Sequence, residues 1–180
     1  MNQGKPDTKG VKIGRRWLTY MSIAVLVFIL DQISKFFVQT RLDLFSSIQL
    51  IPHFFRIVSV RNTGIVFGLF SGEEKGVHEA LLIGFTLLAM GGILLYSARK
   101  GRERRPDIYP LAMILGGAAG NLSDRIREGR VVDFLDFYIG NAHWPAFNIA
   151  DSAIVVGVGT LLFLQWRDER GRTGTPAGTN

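Results

Sequence analysis

Residues 17–38 read WLTYMSIAVLVFILDQISKFFV, an apolar run whose only ionisable groups besides Tyr20 are Asp31 and Lys35, near its far end. Runs of about 17–25 mostly apolar residues are long enough to cross a bilayer as helices. Three more follow in this 180-residue chain: His78–Tyr96, Ile108–Leu122 and Phe147–Trp166. The third is short and is expected to continue toward Arg125. All four are apolar around most of their circumference rather than along one stripe, which argues against four buried helices of a soluble bundle. Residues 17–38 are too long for the apolar core of a cleavable signal peptide, and no small-residue cleavage site follows them. They are expected to be a retained first span.

The net charge of +6 would suit nucleic acid, but the basic residues are placed otherwise. Lys5, Lys9, Lys12, Arg15 and Arg16 precede the first span. Arg99, Lys100, Arg102, Arg104 and Arg105 separate the second from the third, and Arg167, Arg170 and Arg172 follow the fourth. A four-span chain puts all three groups on one side, which the positive-inside rule makes the cytoplasm. Both termini are then cytoplasmic and the two remaining loops face out. No nucleic-acid reader motif is present. Trp17, Tyr20, Tyr96, Tyr109 and Trp166 fall at the inner boundary, as an aromatic belt would. The chain has no cysteine, so a thiol nucleophile, a disulfide and thiolate metal ligands are excluded, as is lipidation of this chain itself at cysteine.

Outside the spans, residues 1–14 and 168–180 are polar and read as mobile tails. The first outer loop, about 39–77, is too long to be a simple connection. Phe54–Val60 and Ile65–Phe70 read as strands about a turn at Arg61-Asn62-Thr63-Gly64, giving a small hairpin or curved sheet on the outer surface. The second outer loop, about 123–146, concentrates polar groups. No internal repeat is present, so a transporter of inverted repeats has no support.

Ionisable groups in or beside a span invite a functional reading. Asp31 and Lys35 are four apart on one helix face, in the favourable acid-then-base order, and read first as an ion pair bracing the helix end. Gly116 and Gly120 form a small-xxx-small pair that admits a neighbouring helix, whereas packing alone does not require Asn121 or Arg125. Asp151 stands about one turn into the last span with no evident partner. Asp133 just precedes that span, between Val132 and Phe134, and Pro145 favours a turn or helix start that folds the chain back. Two carboxylates at a membrane boundary fit an acid/base pair, a cation site or a proton relay, and spacing alone leaves the three level.

As an acid/base pair they would share one proton in a low-dielectric site. One carboxylate would take a proton from water while the protonated partner polarised a scissile carbonyl. Asn62, Asn121, Arg125 and Asn148 are the nearby donors for such chemistry. A zinc site is disfavoured because His53, His78 and His143 are isolated. No Gly-x-Ser-x-Gly elbow occurs.

Four motifs in order then matter together: Asp31-Gln32 with Lys35; Asn62-x-Gly64-x-x-Phe67; Gly120-Asn121-x-x-Asp124-Arg125-x-x-x-Gly129-x-Val131-Val132-Asp133-Phe134; and Phe147-Asn148-x-Ala150-Asp151. In this arrangement the chain resembles the bacterial lipoprotein signal peptidases (signal peptidase II), over residues of about 17–166. The resemblance implies a single membrane peptidase domain over 1–180: an all-α bundle of four transmembrane helices with a small extracytoplasmic β-cradle and a short outer helix or lid. It implies an aspartic endopeptidase of the inner membrane with Asp133 and Asp151 as its catalytic dyad. Asn62, Gly64, Asn121, Arg125 and Asn148 match site-lining or substrate-binding positions, while Asp31, Lys35 and Asp124 match supporting ones. The implied substrate is a diacylglyceryl-modified prolipoprotein cut just before its lipid-bearing cysteine, near the outer face, with globomycin-type cyclic peptides as inhibitors. No metal or other cofactor and no nucleic-acid partner are expected, and membrane lipids surround a chain expected to be a monomer. The competing classes are a small proton-coupled transporter, which would spread polar groups through the depth of the spans, and a structural assembly protein.

Overall fold

In a computed structural model the described residues are 8–64, 75–100 and 108–173. They form α1 (Thr8–Arg41), β1 (Ser47–Ile51), β2 (Phe55–Asn62), α2 (Lys75–Lys100), α3 (Ile108–Glu128), β3 (Val131–Ile139), β4 (Ala142–His143) and α4 (Ile149–Thr173). Among the described residues, three helices are long and apolar enough to cross a membrane, within residues 16–41, 76–99 and 149–171. α3 is not among them, because its C-terminal half carries Gly116, Gly117, Gly120, Asn121 and a run of charged residues. The outward faces of the long helices are apolar: Leu26, Phe36, Phe85, Leu88, Val155 and Leu162 are all exposed. Contiguous apolar surface on that scale calls for an apolar surrounding rather than water.

α3 is the axis of the bundle. A Cβ on Gly116 would collide with the carbonyl oxygen of Ala24 on α1, and one on Gly117 with that of Ala150 on α4. Gly157 of α4 approaches α3 in the same way, since a Cβ there would lie 2.8 Å from the Pro110 carbonyl oxygen. Small residues thus let three backbones meet where apolar side chains alone would hold them apart. α2 packs chiefly on α3. It also reaches α1 through Ser97, whose hydroxyl donates to the Tyr20 phenol at 3.3 Å. Tyr20 is fully buried and packs with Ala24, Ile108, Leu111, Ala112 and Leu115. It is a core residue, not part of an aromatic belt; its ring finds apolar neighbours and its hydroxyl a partner, which is what a buried tyrosine requires.

The sheet is antiparallel throughout, in the order β1-β2-β3-β4. The expected strand at Phe54–Val60 exists as β2, but its neighbours are Ser47–Ile51 on one side and Val131–Ile139 on the other. β1 and β2 are joined by a turn at Pro52-His53-Phe54, with His53 in the left-handed region, while β2 runs through Arg61 and Asn62 to a bend at Gly64. The expected strand at Ile65–Phe70 lies outside the described residues, and no short outer helix occurs among those described. Both expected tails are partly helical, since α1 begins at Thr8 and α4 runs to Thr173. α3 likewise continues past Leu122 to Glu128 and takes up the start of the expected second outer loop. It stops at Gly129, whose φ of +68° and N–H bond to the Arg125 carbonyl at 2.9 Å form a left-handed cap.

Candidate active site

The β3 strand brings the first carboxylate into place. Asp133 lies opposite Val60 in the β2–β3 register, and Asn62 lies opposite Val131. Asn62 and Asp133 are therefore diagonal neighbours on one face, within reach of each other's polar ends. The Asn62 amide donates to Asp133 Oδ2 at 2.9 Å. Its orientation is set from behind: Gly64 N–H donates to Asn62 Oδ1 at 2.8 Å. That turn needs the positive φ of Gly64 (+75°), where a Cβ would also come within 2.7 Å of Leu82.

Beyond β3 the chain reverses through β4 and returns along the strand's other edge. Phe147 accepts from the N–H groups of Phe134 and Leu135, at 3.0 and 2.8 Å, and donates to the Leu135 carbonyl at 3.0 Å. This clamp starts α4 beside Asp133. Asn148 caps the helix: its side-chain oxygen accepts from Asp151 N–H at 2.9 Å, and Asp151 Oδ2 accepts from Asn148 N–H at 3.2 Å. The Asn148 amide then donates to Asp133 Oδ1 at 2.8 Å. A second amide completes the link, as Asn121 of α3 donates to Asp151 Oδ1 at 2.7 Å. Three asparagines from three parts of the fold thus hold two carboxylates in one cluster.

Under this layer lies a buried charged one. Lys35 donates to Asp31 Oδ2 at 2.8 Å, Asp124 Oδ2 at 2.7 Å and Asn121 Oδ1 at 3.0 Å. Asp31, fully buried, uses Oδ1 to accept from Ala150 N–H at 2.9 Å, at the first turn of α4, where a negative charge is favoured. Gln32 donates to Asp124 Oδ1 at 3.0 Å and to the Gly120 carbonyl at 3.3 Å. Arg127 bonds Gln32 Oε1 and reaches Asp124 at 3.3 Å. Gly120 makes room for this layer, since a Cβ there would lie 2.5 Å from Asp31 Oδ2.

Asp133 is 2 % exposed. Burial pushes its carboxyl up to about 6, opposed by the Asn62 hydrogen bond, reinforced by the charge of Asp151, and further opposed by Asn148 and Lys35. Desolvation and a like charge nearby are the two influences that let a carboxyl hold a proton near neutral pH. The site therefore offers one carboxyl group ready to be protonated beside another held by an amide and a backbone N–H, the requirement for paired acid and base chemistry.

Asp133, Asp151, Asn62, Asn121 and Asn148 are joined directly by these bonds, and Asp31, Lys35 and Asp124 form the layer beneath. Arg125 stands one turn beyond Asn121, half-buried, with no side-chain hydrogen bond or ion pair to the described residues; it is the expected site residue that the network does not take in. Gln32 and Arg127 belong to the charged layer although their sequence context singled out neither as a site residue. Their signal was a spacing of three to Asp124 for Arg127 and adjacency to Asp31 for Gln32, both common on solvated helix faces. His143 meets a carboxylate rather than another histidine: its ring lies 3.1 Å from Asp136, and Arg56 meets the same carboxylate at 2.6 Å. Burial acts to raise Asp136, but Arg56 and His143 outweigh it and hold the carboxyl below its ordinary value. No cluster fit to hold a metal occurs among the described residues.

The family model described as signal peptidase (SPase) II matches residues 23–167. A lipoprotein signal peptidase of Syntrophus aciditrophicus (strain SB) is 45% identical over 141 residues, covering 78% of this chain and 88% of that protein. One from Geobacter metallireducens is 40% identical over 148 residues, covering 82% and 90%. Among solved structures, a bacterial membrane enzyme determined by the in meso method at 2.3 Å resolution superposes with a TM-score of 0.74 at 29% identity, covering 90% of this chain and 94% of that one.

Proposed function

The chain belongs to the signal peptidase II family, a family of aspartic proteases, and from that premise we propose that Asp133 and Asp151 are its catalytic dyad. The observation that carries the reading is the asparagine frame: Asn148 bonds both carboxylates, Asn62 holds Asp133 and Asn121 holds Asp151. Such a frame fixes two groups that repel each other when both are ionised. With one proton between them, the ionised carboxylate takes a proton from water as that water attacks the scissile carbonyl. The protonated partner donates to the carbonyl oxygen as it gains charge, and the proton taken from water then passes to the leaving amine. No covalent intermediate is needed, and the two pKa values belong to the pair.

The substrate of this reading is a prolipoprotein whose cysteine already carries diacylglyceryl, cut on the amino side of that cysteine. Its signal peptide is itself an apolar helix, and its lipid tails would stay among acyl chains beside the exposed faces of α1, α2 and α4. The reading includes α3 as a fourth span, both termini in the cytoplasm, and the sheet with Asp133 at the outer face of the inner membrane. It is supported by the basic groups at 99–105 and 167–172, which share one side of such a chain. A monomer suffices, since the asparagine frame is built within one chain. The test is a gel-shift assay of purified protein with a lipid-modified precursor, with and without globomycin. Conversion blocked by the cyclic peptide and absent in both Asp133→Asn and Asp151→Asn is the expected result; conversion by both variants at the normal rate overturns it.

A further inference from the structure

Resting on the dyad reading, we propose that Lys35 is a positioning residue for Asp133 and Asp151, fixing the orientation of the Asn121 amide that binds Asp151. An ammonium group has three protons. Those of Lys35 go to Asp31, Asp124 and Asn121, at 2.8, 2.7 and 3.0 Å, and the residue is 2 % exposed. None is left for substrate, so Lys35 acts through another group.

That group is Asn121. An asparagine amide can be turned about so that its oxygen and nitrogen exchange places, and the hydrogen-bond partners decide which way it stands. At Asn121 the oxygen accepts from Lys35 and from Asn148 Nδ2 at 3.1 Å, both donors only, so the nitrogen faces Asp151 Oδ1. Without the ammonium, the oxygen keeps a single neutral donor. The reversed amide, with its oxygen against the Asp151 carboxylate, then becomes accessible, and one support of the dyad becomes a repulsion. Lys35 is also the cation that offsets Asp31 and Asp124, and its charge opposes the upward push on Asp133. The charged and titratable groups facing this cluster are Asp31 on α1, Asp124 and Arg127 on α3, Asp133 on β3 and Asp151 on α4.

A brace and a positioning residue predict different behaviour once the buried charges are rebalanced. Lys35→Gln leaves two buried carboxylates short of a cation; Lys35→Gln combined with Asp124→Asn removes one of them. Turnover of a lipid-modified precursor by the purified full-length protein is measured across pH, with melting temperature recorded for each variant and rates taken well below it. The double variant is expected to recover most of the melting temperature lost in Lys35→Gln, while kcat stays about 10- to 100-fold down, KM changes by less than about threefold, and the acid limb of the kcat profile moves to higher pH. Recovery of kcat and of the acid limb along with the melting temperature overturns the proposal. Asp133→Asn and Asp151→Asn run alongside: if they turn over normally the dyad reading fails, whereas if they are inactive and the double variant matches the parent, only the role of Lys35 fails.

Discussion

Asn148 and Asp151 cap one another: each accepts on its side chain the backbone N–H of the other, at 2.9 and 3.2 Å. The pair is a capping box with aspartate in the place more often held by glutamate. One carboxylate of the candidate dyad is thus also the end of a helix. Its position is tied to the backbone of α4 rather than to a flexible loop, which suits a group that must be held within a fraction of an ångström.

Asn148→Ala should therefore injure both stability and turnover. It removes the cap, which is worth about 0.5–2 kcal/mol, and it leaves Asp133 Oδ1 without its amide donor. Turnover is expected to fall by about 100-fold or more. A variant that melts lower but turns over at the normal rate would show that the bond to Asp133 has no part in the chemistry.

Asp133 makes the protein's stability depend on pH. Its carboxyl stands at about 6 in the fold against an ordinary value of 3.8. The folded chain therefore binds this proton more tightly than the unfolded chain does. The stability it contributes is full below the unfolded value and is lost as pH rises through about 6, a change of order 3 kcal/mol. Asp136 is shifted downward, so its stability is present above the ordinary carboxylate value and is lost only in more acidic solution. In melting curves, Asp133→Asn should flatten the decline between about pH 4 and 7. An equally steep decline in the variant would place the proton elsewhere.

Gly120→Ala tests the fit of the buried layer. The added methyl would stand 2.5 Å from Asp31 Oδ2 and 3.4 Å from Ala150 Cβ, and Asp31 is fully buried with both oxygens engaged. Overpacking of this kind costs about 1–3 kcal/mol. Gly91→Ala, where nothing lies within 4 Å, is the control and should be tolerated. Equal melting temperatures for the two variants would mean that Asp31 can move aside.

Asp31→Asn should lower the melting temperature more than it lowers turnover. The amide oxygen can still cap Ala150, but Lys35 loses one of its two carboxylate partners in a buried setting. Breaking one side of a buried ion pair costs about 3–5 kcal/mol. A variant of normal stability with lost turnover would move Asp31 from the supporting layer into the chemistry.

The sequence made the helices and the two aspartates legible for different reasons. Long apolar runs announce spans by composition alone, whereas Asp133 and Asp151 stood out because carboxylates are costly beside such runs. β2 was legible as a strand, but its partners were not: Ser46-Ser47 and Gln49 make β1 read as polar loop, and β3 lies some seventy residues away, beyond the reach of turn signals. The C-terminal end of α3 was legible only as far as about Arg125, because Asp124, Arg125, Arg127 and Glu128 look like a solvated loop. Asp124 in fact turns inward to Lys35, a contact between residues far apart in the chain. Tyr20 misled because tyrosine suits both a lipid boundary and a core, and only packing tells them apart.

The glycine-lined axis bears on how the protein is made. α3 lacks the apolar content that makes α1, α2 and α4 long and apolar enough to cross a bilayer, yet it touches all three. On the four-span reading it emerges from the ribosome after α1 and α2 and before α4, so a docking face on α1 already awaits it at Ala24. Its commitment to the membrane would then be a step of assembly rather than of partitioning, with the earlier helices acting as its template and α4 as the closing stave.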